Sequence, residues 1–157
     1  MSTTSRAIHS TSDEQTERIG AALAPCLQPG TVVALHGDLG TGKTVMSRGV
    51  ARGLGIRELV TSPTFTVVQE YLCPGDLWLF HLDMYRIDTE EAALAFGIEE
   101  YLYVPNAVTL VEWPERIEGL FGDDERTHRI WLSHGDDGGR RILLPNPLAN
   151  MLPDTTA

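Results

Sequence analysis

The sequence is poor in cysteine and in long apolar runs, and each shortage excludes a class of protein. Its two cysteines, Cys26 and Cys73, lie far apart and outside any CxxC spacing, which argues against a disulfide framework or a zinc ribbon. No apolar run exceeds five residues, whereas a membrane-spanning helix needs about 20. The first 17 residues contain no apolar run, so we expect no secretory signal and a cytoplasmic location.

Basic residues are also scarce, because 12 lysines and arginines stand against 22 acidic residues, a net charge of −10. Residues 1–60 hold six basic and five acidic residues, whereas residues 61–157 hold six and seventeen. This acidity repels phosphate backbones and argues against tight nucleic-acid binding by this chain alone. It indicates either a solvated surface or a face that docks a basic partner.

Helix and strand signals alternate along the chain, which predicts an α/β sandwich with a mixed sheet. Ser12 and Gln15 are typical of a capping box at the start of a helix that ends by Pro29. We expect a buried strand over 31–36, a helix over about 43–54, hairpins over 65–83 and 128–144, a strand over 107–112 and a helix from Pro114 to about 121. We expect a disordered arm over 1–10, a folded domain over 11–145 and a flexible tail over 146–157.

Residues 37–44, GDLGTGKT, match the phosphate-binding pattern G-x-x-x-x-G-K-[ST] in full, after a strand and before a helix. Glycines let backbone N–H groups point at phosphate oxygens, and the helix N-terminus adds partial positive charge. Lys43, the only lysine of the chain, would neutralise β/γ-phosphate charge, and Thr44 would ligate Mg²⁺. The motif therefore predicts an ATP- or ADP-binding P-loop with Mg²⁺, formed by Asp38, Leu39, Gly40, Thr41, Gly42, Lys43 and Thr44.

Two acidic residues, Asp83 and Glu112, end apolar strands. Ligands of such sheets lie at the carboxyl ends of the strands, so either acid could hold Mg²⁺ while the other orients the attacking water. The sequence alone does not divide these roles. Trp113 follows directly and could stack on the base or pack in the core, and packing in the core is the simpler interpretation.

The sequence excludes one class of nucleotide-binding protein and leaves two others as alternatives. A Ras-like GTPase is excluded because its guanine motif needs a lysine, and the only lysine lies in the P-loop. A small-molecule P-loop kinase is an alternative, with Arg116, Arg126 or Arg129 as candidates for a lid, although no clear lid segment is present. A nucleotide-gated binding module without useful turnover is a further alternative.

A set of motifs beyond the P-loop carries a family resemblance over residues 16–117: SRGVARGLGI (47–56), TSPTFTVVQEY (61–71), HLDMYRI (81–87), FGIEEYL (96–102) and VEWPERI (111–117). In this order and spacing the chain resembles the TsaE (YjeE) family of bacterial P-loop ATPases. The resemblance implies a single P-loop NTPase domain, a three-layer sandwich around a mixed, mainly parallel central sheet.

The resemblance also implies a function. The family works in the formation of threonylcarbamoyladenosine at position 37 of tRNAs that read ANN codons. Its members bind the TsaB–TsaD heterodimer and hydrolyse ATP to reset the complex. The chain would therefore interact with tRNA only indirectly, through that complex. The acidic segment 88–100 is our candidate docking face for these partners.

Residue by residue, the resemblance matches Lys43 and Thr44 to the phosphate and Mg²⁺ contacts and Asp83 to the family's essential acid. It matches Glu112 to the metal-side acid of the Walker B position and Trp113 to a tryptophan near the base. It further implies a switch-like loop formed by Ser62, Pro63, Thr64 and Phe65. It also implies a set of residues near the base, which are Asp13, Thr16, Gly139 and Arg140.

Overall fold

The computed structural model describes residues 5–61 and 66–152, which form a seven-stranded sheet with helices on its faces. The strands are β1 (Ser5–Ser10), β2 (Val32–His36), β3 (Val68–Cys73), β4 (Leu77–Asp83), β5 (Ala107–Glu112), β6 (Thr127–His134) and β7 (Arg140–Pro145). The α-helices are α1 (Asp13–Leu23), α2 (Lys43–Gly53), α3 (Glu90–Ala95) and α4 (Leu148–Met151). Short 3-10 helices cover Ala24–Cys26, Ile98–Tyr101, Pro114–Leu120 and Asp124–Arg126. Within the described ranges, no helix is both long and apolar enough to cross a membrane.

The sheet has the strand order β1-β7-β6-β2-β5-β4-β3. Its four central strands, β6, β2, β5 and β4, are parallel to one another, and the outer pairs β1–β7, β7–β6 and β4–β3 are antiparallel. Both hairpins expected from the sequence are therefore confirmed. The parallel pairs align Leu35 of β2 and Asp83 of β4 with Glu112 of β5, so all three strands end at one edge.

Two apolar cores lie on opposite faces of the sheet and confirm the three-layer sandwich. On one face α1 and α2 contribute Ile19 and Met46, which belong to the same buried cluster as Leu110 of β5. On the other face α3 and the 3-10 helices contribute a second cluster around Ile98 and Ile117. Strands β2 and β5 are buried on both faces along their whole length, which explains their β-branched and apolar composition.

Local signals set most element boundaries. Ser12 caps α1 by accepting a hydrogen bond from the Gln15 N–H at 3.1 Å, while the Gln15 side chain accepts from the Thr11 N–H at 2.7 Å. The helix ends at Leu23, earlier than expected, because Pro25 sits in a following 3-10 turn. The segment from Pro114 is a 3-10 helix rather than the α-helix expected from the sequence, with a non-helical kink at Ile117.

The expected disordered arm and flexible tail are both wrong for the described residues. Residues 5–10 form β1, which pairs along the whole length of β7 and buries Ile8. Residues 146–152 include α4, whose Leu148 is fully buried, and the Arg6 guanidinium donates a hydrogen bond to the Leu152 carbonyl at 3.0 Å. The physical reason is that β7 offers an unpaired edge and the nearby apolar side chains gain free energy from burial.

The two helices on the P-loop face, α1 and α2, approach each other closely through glycines. A Cβ atom added at Gly49 would lie 2.1 Å from the Glu17 carbonyl oxygen, and one added at Gly20 would lie 2.5 Å from the Met46 carbonyl oxygen. Both atoms belong to backbone, which cannot move aside without shifting a helix. Helix propensity would favour alanine at both positions, so glycine is required here by contact between the helices.

We expect Gly49→Ala to lower the free energy of unfolding by about 3 kcal/mol, because the new methyl group forces α1 away from α2. Gly122→Ala is the control, since a Cβ there would meet nothing within 4 Å, and its effect should stay within about 0.5 kcal/mol. Urea unfolding followed by circular dichroism measures both. Equal stability of the two variants would contradict the close contact.

Candidate functional site

The P-loop turn connects β2 to α2 and adopts backbone angles that favour glycine. Gly40 and Gly42 have φ values of 79° and 101°, in the left-handed region where a side chain is strained. Gly42 is the N-cap of α2, so the helix begins at Lys43 and directs its first N–H groups toward the turn. This geometry is that of an anion-binding helix N-terminus.

Lys43 lies almost fully buried across this turn. Its ammonium donates hydrogen bonds to the Gly37 carbonyl and, at 3.2 Å, to the Asp38 carbonyl. The Nζ atom also lies 3.7 Å from the centroid of the Trp113 ring, a cation–π contact. Burial lowers the pKa of Lys43 from its ordinary value, while nearby carboxylates, Glu112 foremost, act to raise it.

Thr44 and Glu112 are in direct contact. The Thr44 hydroxyl donates to the Glu112 carboxylate, 3.1 Å from Oε1 and 3.2 Å from Oε2. Glu112 is 3% exposed and also lies 2.6 Å from Nε2 of His81, a residue of β4 that is fully buried. The carboxylate at the end of β5 is therefore contacted by Thr44 of the P-loop helix α2 and by His81 of the neighbouring strand β4.

Asp83 ends β4 directly beside Glu112 in the parallel register. Its Oδ1 atom accepts a hydrogen bond from the Tyr85 N–H at 3.0 Å, which orients the carboxylate at the start of the following loop. The two acids thus differ in their surroundings, since Glu112 is the one that hydrogen-bonds Thr44. The strand pattern alone left these two positions equivalent, and the three-dimensional arrangement separates them.

A pocket of about 470 Å³ collects most of the residues expected from the sequence. The members that it brings together are Leu39, Gly40, Gly42, Lys43, Thr44, Asp83, Glu112 and Trp113. Thr41 is buried, and its hydroxyl donates to the Asp38 carbonyl at 2.8 Å. Ser62 and Thr64 of the expected switch-like loop, with Pro63 and Phe65, lie outside the described residues.

Asp38 lines a neighbouring, larger groove of about 940 Å³ on the other side of the P-loop. In that groove the exposed Trp131 stacks on His36 with ring centroids 3.9 Å apart. Trp113 packs against the second apolar cluster and also lines both cavities, so packing in the core describes only part of its surroundings. Because Lys43, Thr44 and Glu112 line the smaller pocket, that pocket is the candidate nucleotide site.

Asp13 and Arg140 close one end of the nucleotide pocket. They form an ion pair at 2.6 Å, and Arg140 also donates to the Thr16 hydroxyl at 3.1 Å. The guanidinium lies against the P-loop, because a Cβ added at Gly42 would be 3.0 Å from it. Gly139, by contrast, is packed against β1, where an added Cβ would lie 2.7 Å from the Ser10 carbonyl oxygen.

Sequence reasoning missed two features of this site. Tyr85 lines the pocket, and its ring lies 5.2 Å from that of Trp113. His81 is not among the site residues expected from the sequence, yet its Nε2 atom lies 2.6 Å from the carboxylate of Glu112. The available signal was its spacing, because residues 81 and 83 of one strand point to the same face of the sheet.

The residues present fit a magnesium ion that is shared with a nucleotide. Among the described residues, no group of three or more His, Cys, Asp or Glu side chains is arranged to hold a metal alone. Thr44 and Glu112 nevertheless present adjacent oxygen donors beside the P-loop. Mg²⁺ is commonly held by one or two such side chains together with substrate phosphates.

The sequence is similar to those of known proteins. The family model for the threonylcarbamoyl adenosine biosynthesis protein TsaE matches residues 10–142. The chain is 43% identical over 124 residues to the tRNA threonylcarbamoyladenosine biosynthesis protein TsaE of Bacillus subtilis, covering 79% of this chain and 75% of that protein. It is 40% identical over 135 residues to the TsaE protein of Treponema pallidum, covering 86% of this chain and 96% of that protein.

A solved structure shares the fold as well. The crystal structure of YdiB from Bacillus subtilis superposes with a TM-score of 0.76 at 32% sequence identity, and the match covers 92% of this chain and 87% of that one. The family model spans most of the residues that build the sheet, the P-loop and the two acidic strand ends. On these grounds the chain belongs to the TsaE family.

Proposed function

We propose that this chain is a Mg²⁺-dependent ATPase subunit that acts with the TsaB–TsaD complex in forming N6-threonylcarbamoyladenosine at position 37 of tRNA. Proteins of the TsaE family take part in tRNA threonylcarbamoyladenosine biosynthesis. The ATPase proposal depends on one observation, which is that Lys43, Thr44 and Glu112 line the same pocket at the P-loop. The chain's role would be to reset the complex between turnovers.

Phosphate binding would use the first turn of α2 and the ammonium of Lys43. The N–H groups of that turn and the helix dipole favour an anion at this position. The ammonium already rests on the carbonyls of Gly37 and Asp38, so a short movement would turn it toward β- and γ-phosphates. Its burial strengthens this attraction, because charges interact more strongly away from bulk water.

Mg²⁺ would be held by the Thr44 hydroxyl and by Glu112, either directly or through water, and would neutralise phosphate charge. Asp83 lies beside Glu112 and is oriented by the Tyr85 N–H. We assign Glu112 to the metal side because it contacts Thr44. Asp83 is then the acid that would orient the attacking water and accept its proton.

We expect the purified chain to hydrolyse ATP slowly alone and at least about tenfold faster with TsaB–TsaD. The partners would improve the positioning of the phosphates and the attacking water, on which several kcal/mol of the activation barrier depend. Lys43→Ala should abolish the stimulated rate. Arg57→Ala removes an equal charge from an exposed loop beyond the far end of α2, and it should leave the rate unchanged. Phosphate release under steady-state conditions measures all three proteins.

Two other results would contradict this proposal. ADP formation that needs a small-molecule acceptor and ignores TsaB–TsaD would indicate a P-loop kinase. Nucleotide binding without turnover, alone or with the partners, would indicate a nucleotide-gated binding module.

The role of Glu112 gives a separate expectation. Glu112→Ala should lower Mg²⁺-dependent turnover by about 100-fold, because an oxygen donor beside Thr44 is lost. Nucleotide binding measured in EDTA should change little, since phosphate contacts come from Lys43 and the P-loop. Equal loss of Mg²⁺-dependent turnover and of Mg²⁺-free binding would point to a folding defect and would not support a metal role.

The candidate docking face is the segment 88–100, which contains α3 and part of the following 3-10 helix. Glu91, Glu99 and Glu100 are exposed there, together with the apolar side chains of Leu94 and Phe96. Glu90 differs, because its carboxylate accepts a hydrogen bond from the Gly119 N–H at 2.7 Å. Exposed apolar side chains on a segment with several exposed carboxylates suit a partner surface of opposite charge.

We expect Glu99→Lys with Glu100→Lys to weaken binding to TsaB–TsaD by at least about tenfold, through loss of charge complementarity. Asp124→Lys with Glu125→Lys is the matched control, because it reverses two adjacent exposed carboxylates in another 3-10 helix. Calorimetric titration of each variant into the complex measures the affinity. Unchanged binding by the first variant would show that this face does not dock the partners.

A further inference from the structure

His81 is a fully buried polar residue directly beneath the nucleotide pocket. It lies in β4, on the same face as Asp83, and is covered by the P-loop helix layer. Its Nε2 atom lies 2.6 Å from Oε2 of Glu112. Its Nδ1 atom is buried and has no hydrogen-bond partner among the described residues.

This arrangement favours one tautomer of the imidazole. A carboxylate only accepts hydrogen bonds, so the short contact to Glu112 requires a proton on Nε2. A second proton on Nδ1 would be a buried donor without an acceptor, which is costly. A proton on Nε2 therefore satisfies the hydrogen bond to Glu112, the one contact given for the ring nitrogens among the described residues.

The two partners of Glu112 act in different ways. The single hydroxyl proton of Thr44 is shared between both carboxylate oxygens, at 3.1 and 3.2 Å, and Thr44 itself lines the pocket. The imidazole is rigid, approaches Oε2 alone and lies outside the pocket lining. The contact from His81 therefore remains when the Thr44 hydroxyl turns toward a ligand.

We propose that His81 is a positioning residue for the proposed Mg²⁺ site: its imidazole donates from Nε2 to Oε2 of Glu112 and fixes the orientation of the carboxylate that would hold the cation. This inference rests on the proposed function, because it assigns to His81 the orientation of a residue on the metal side. Groups that orient a metal-binding side chain commonly change metal affinity by 10- to 100-fold when they are removed.

Two amide substitutions separate a positioning role from simple filling of the core. The side-chain nitrogen of glutamine lies as many bonds from Cα as Nε2 of histidine, so His81→Gln can keep the donor to Glu112. The nitrogen of asparagine corresponds to Nδ1, so His81→Asn loses that donor while it also buries an amide. Both variants place a polar group of similar size in the same core.

The measurement is calorimetric binding of ADP at increasing Mg²⁺ concentration, with ADP binding in EDTA as the check on folding. His81→Asn should raise the Mg²⁺ concentration for half-maximal enhancement by roughly 10- to 100-fold, whereas His81→Gln should stay within about threefold of the parent. Binding of ADP in EDTA should be similar in all three proteins. Equal Mg²⁺ requirements in both variants and the parent would overturn the role of His81.

If Mg²⁺ does not enhance ADP binding to the parent protein, the metal dependence in the proposed function fails, and the role of His81 fails with it. A higher Mg²⁺ requirement that is specific to His81→Asn, in contrast, supports both the metal dependence and the role of His81.

The unsubstituted protein provides a test that does not depend on folding of a variant. Proton–nitrogen correlation spectra of its histidines should show His81 protonated at Nε2 and bare at Nδ1, and a proton on Nδ1 alone would overturn the inference.

Discussion

The parallel pairing of β5 with β2 and β4 determines where every group of the candidate site lies. Because Leu35 and Asp83 share a register with Glu112, the P-loop and both carboxylates leave the sheet at the same edge. A slip of one residue would turn each acid to the opposite face, where the 3-10 helices pack. Every residue of β2 and β5 is buried, so a slip would place the charged Glu112 side chain among the apolar residues of the second cluster, at a large cost in free energy.

The position of α2 over this edge depends on its contact with α1. Gly20 and Gly49 allow the two backbones to approach within a distance that no Cβ atom permits. The first turn of α2 carries Lys43 and Thr44, so the same contact that stabilises the fold also sets the height of both side chains above Glu112. Stability and site geometry are therefore coupled through helix packing, at glycines that touch no ligand.

Local patterns predicted much of the fold, because an N-cap at Ser12, a glycine-rich turn over 37–42 and alternating strands depend on neighbouring residues. The pairing of β1 with β7 joins residues 130 to 140 positions apart, and no local pattern in residues 5–10 shows it. The same limit applies within the site. Residue types identified Asp83 and Glu112, but only the fold shows that Glu112 contacts both Thr44 and His81.

The side chains of Lys43 and Glu112 hydrogen-bond to other groups and not to each other. Within the described part of the chain, the ammonium of Lys43 rests on two carbonyls and an aromatic face, and the carboxylate of Glu112 rests on a hydroxyl and an imidazole. A direct ion pair between them would reduce the attraction of each for a further charge. Hydrogen bonds to carbonyls, a hydroxyl and an imidazole keep both charged groups oriented without pairing them with each other. This arrangement suits a site that must receive anionic phosphates on one side and a divalent cation on the other.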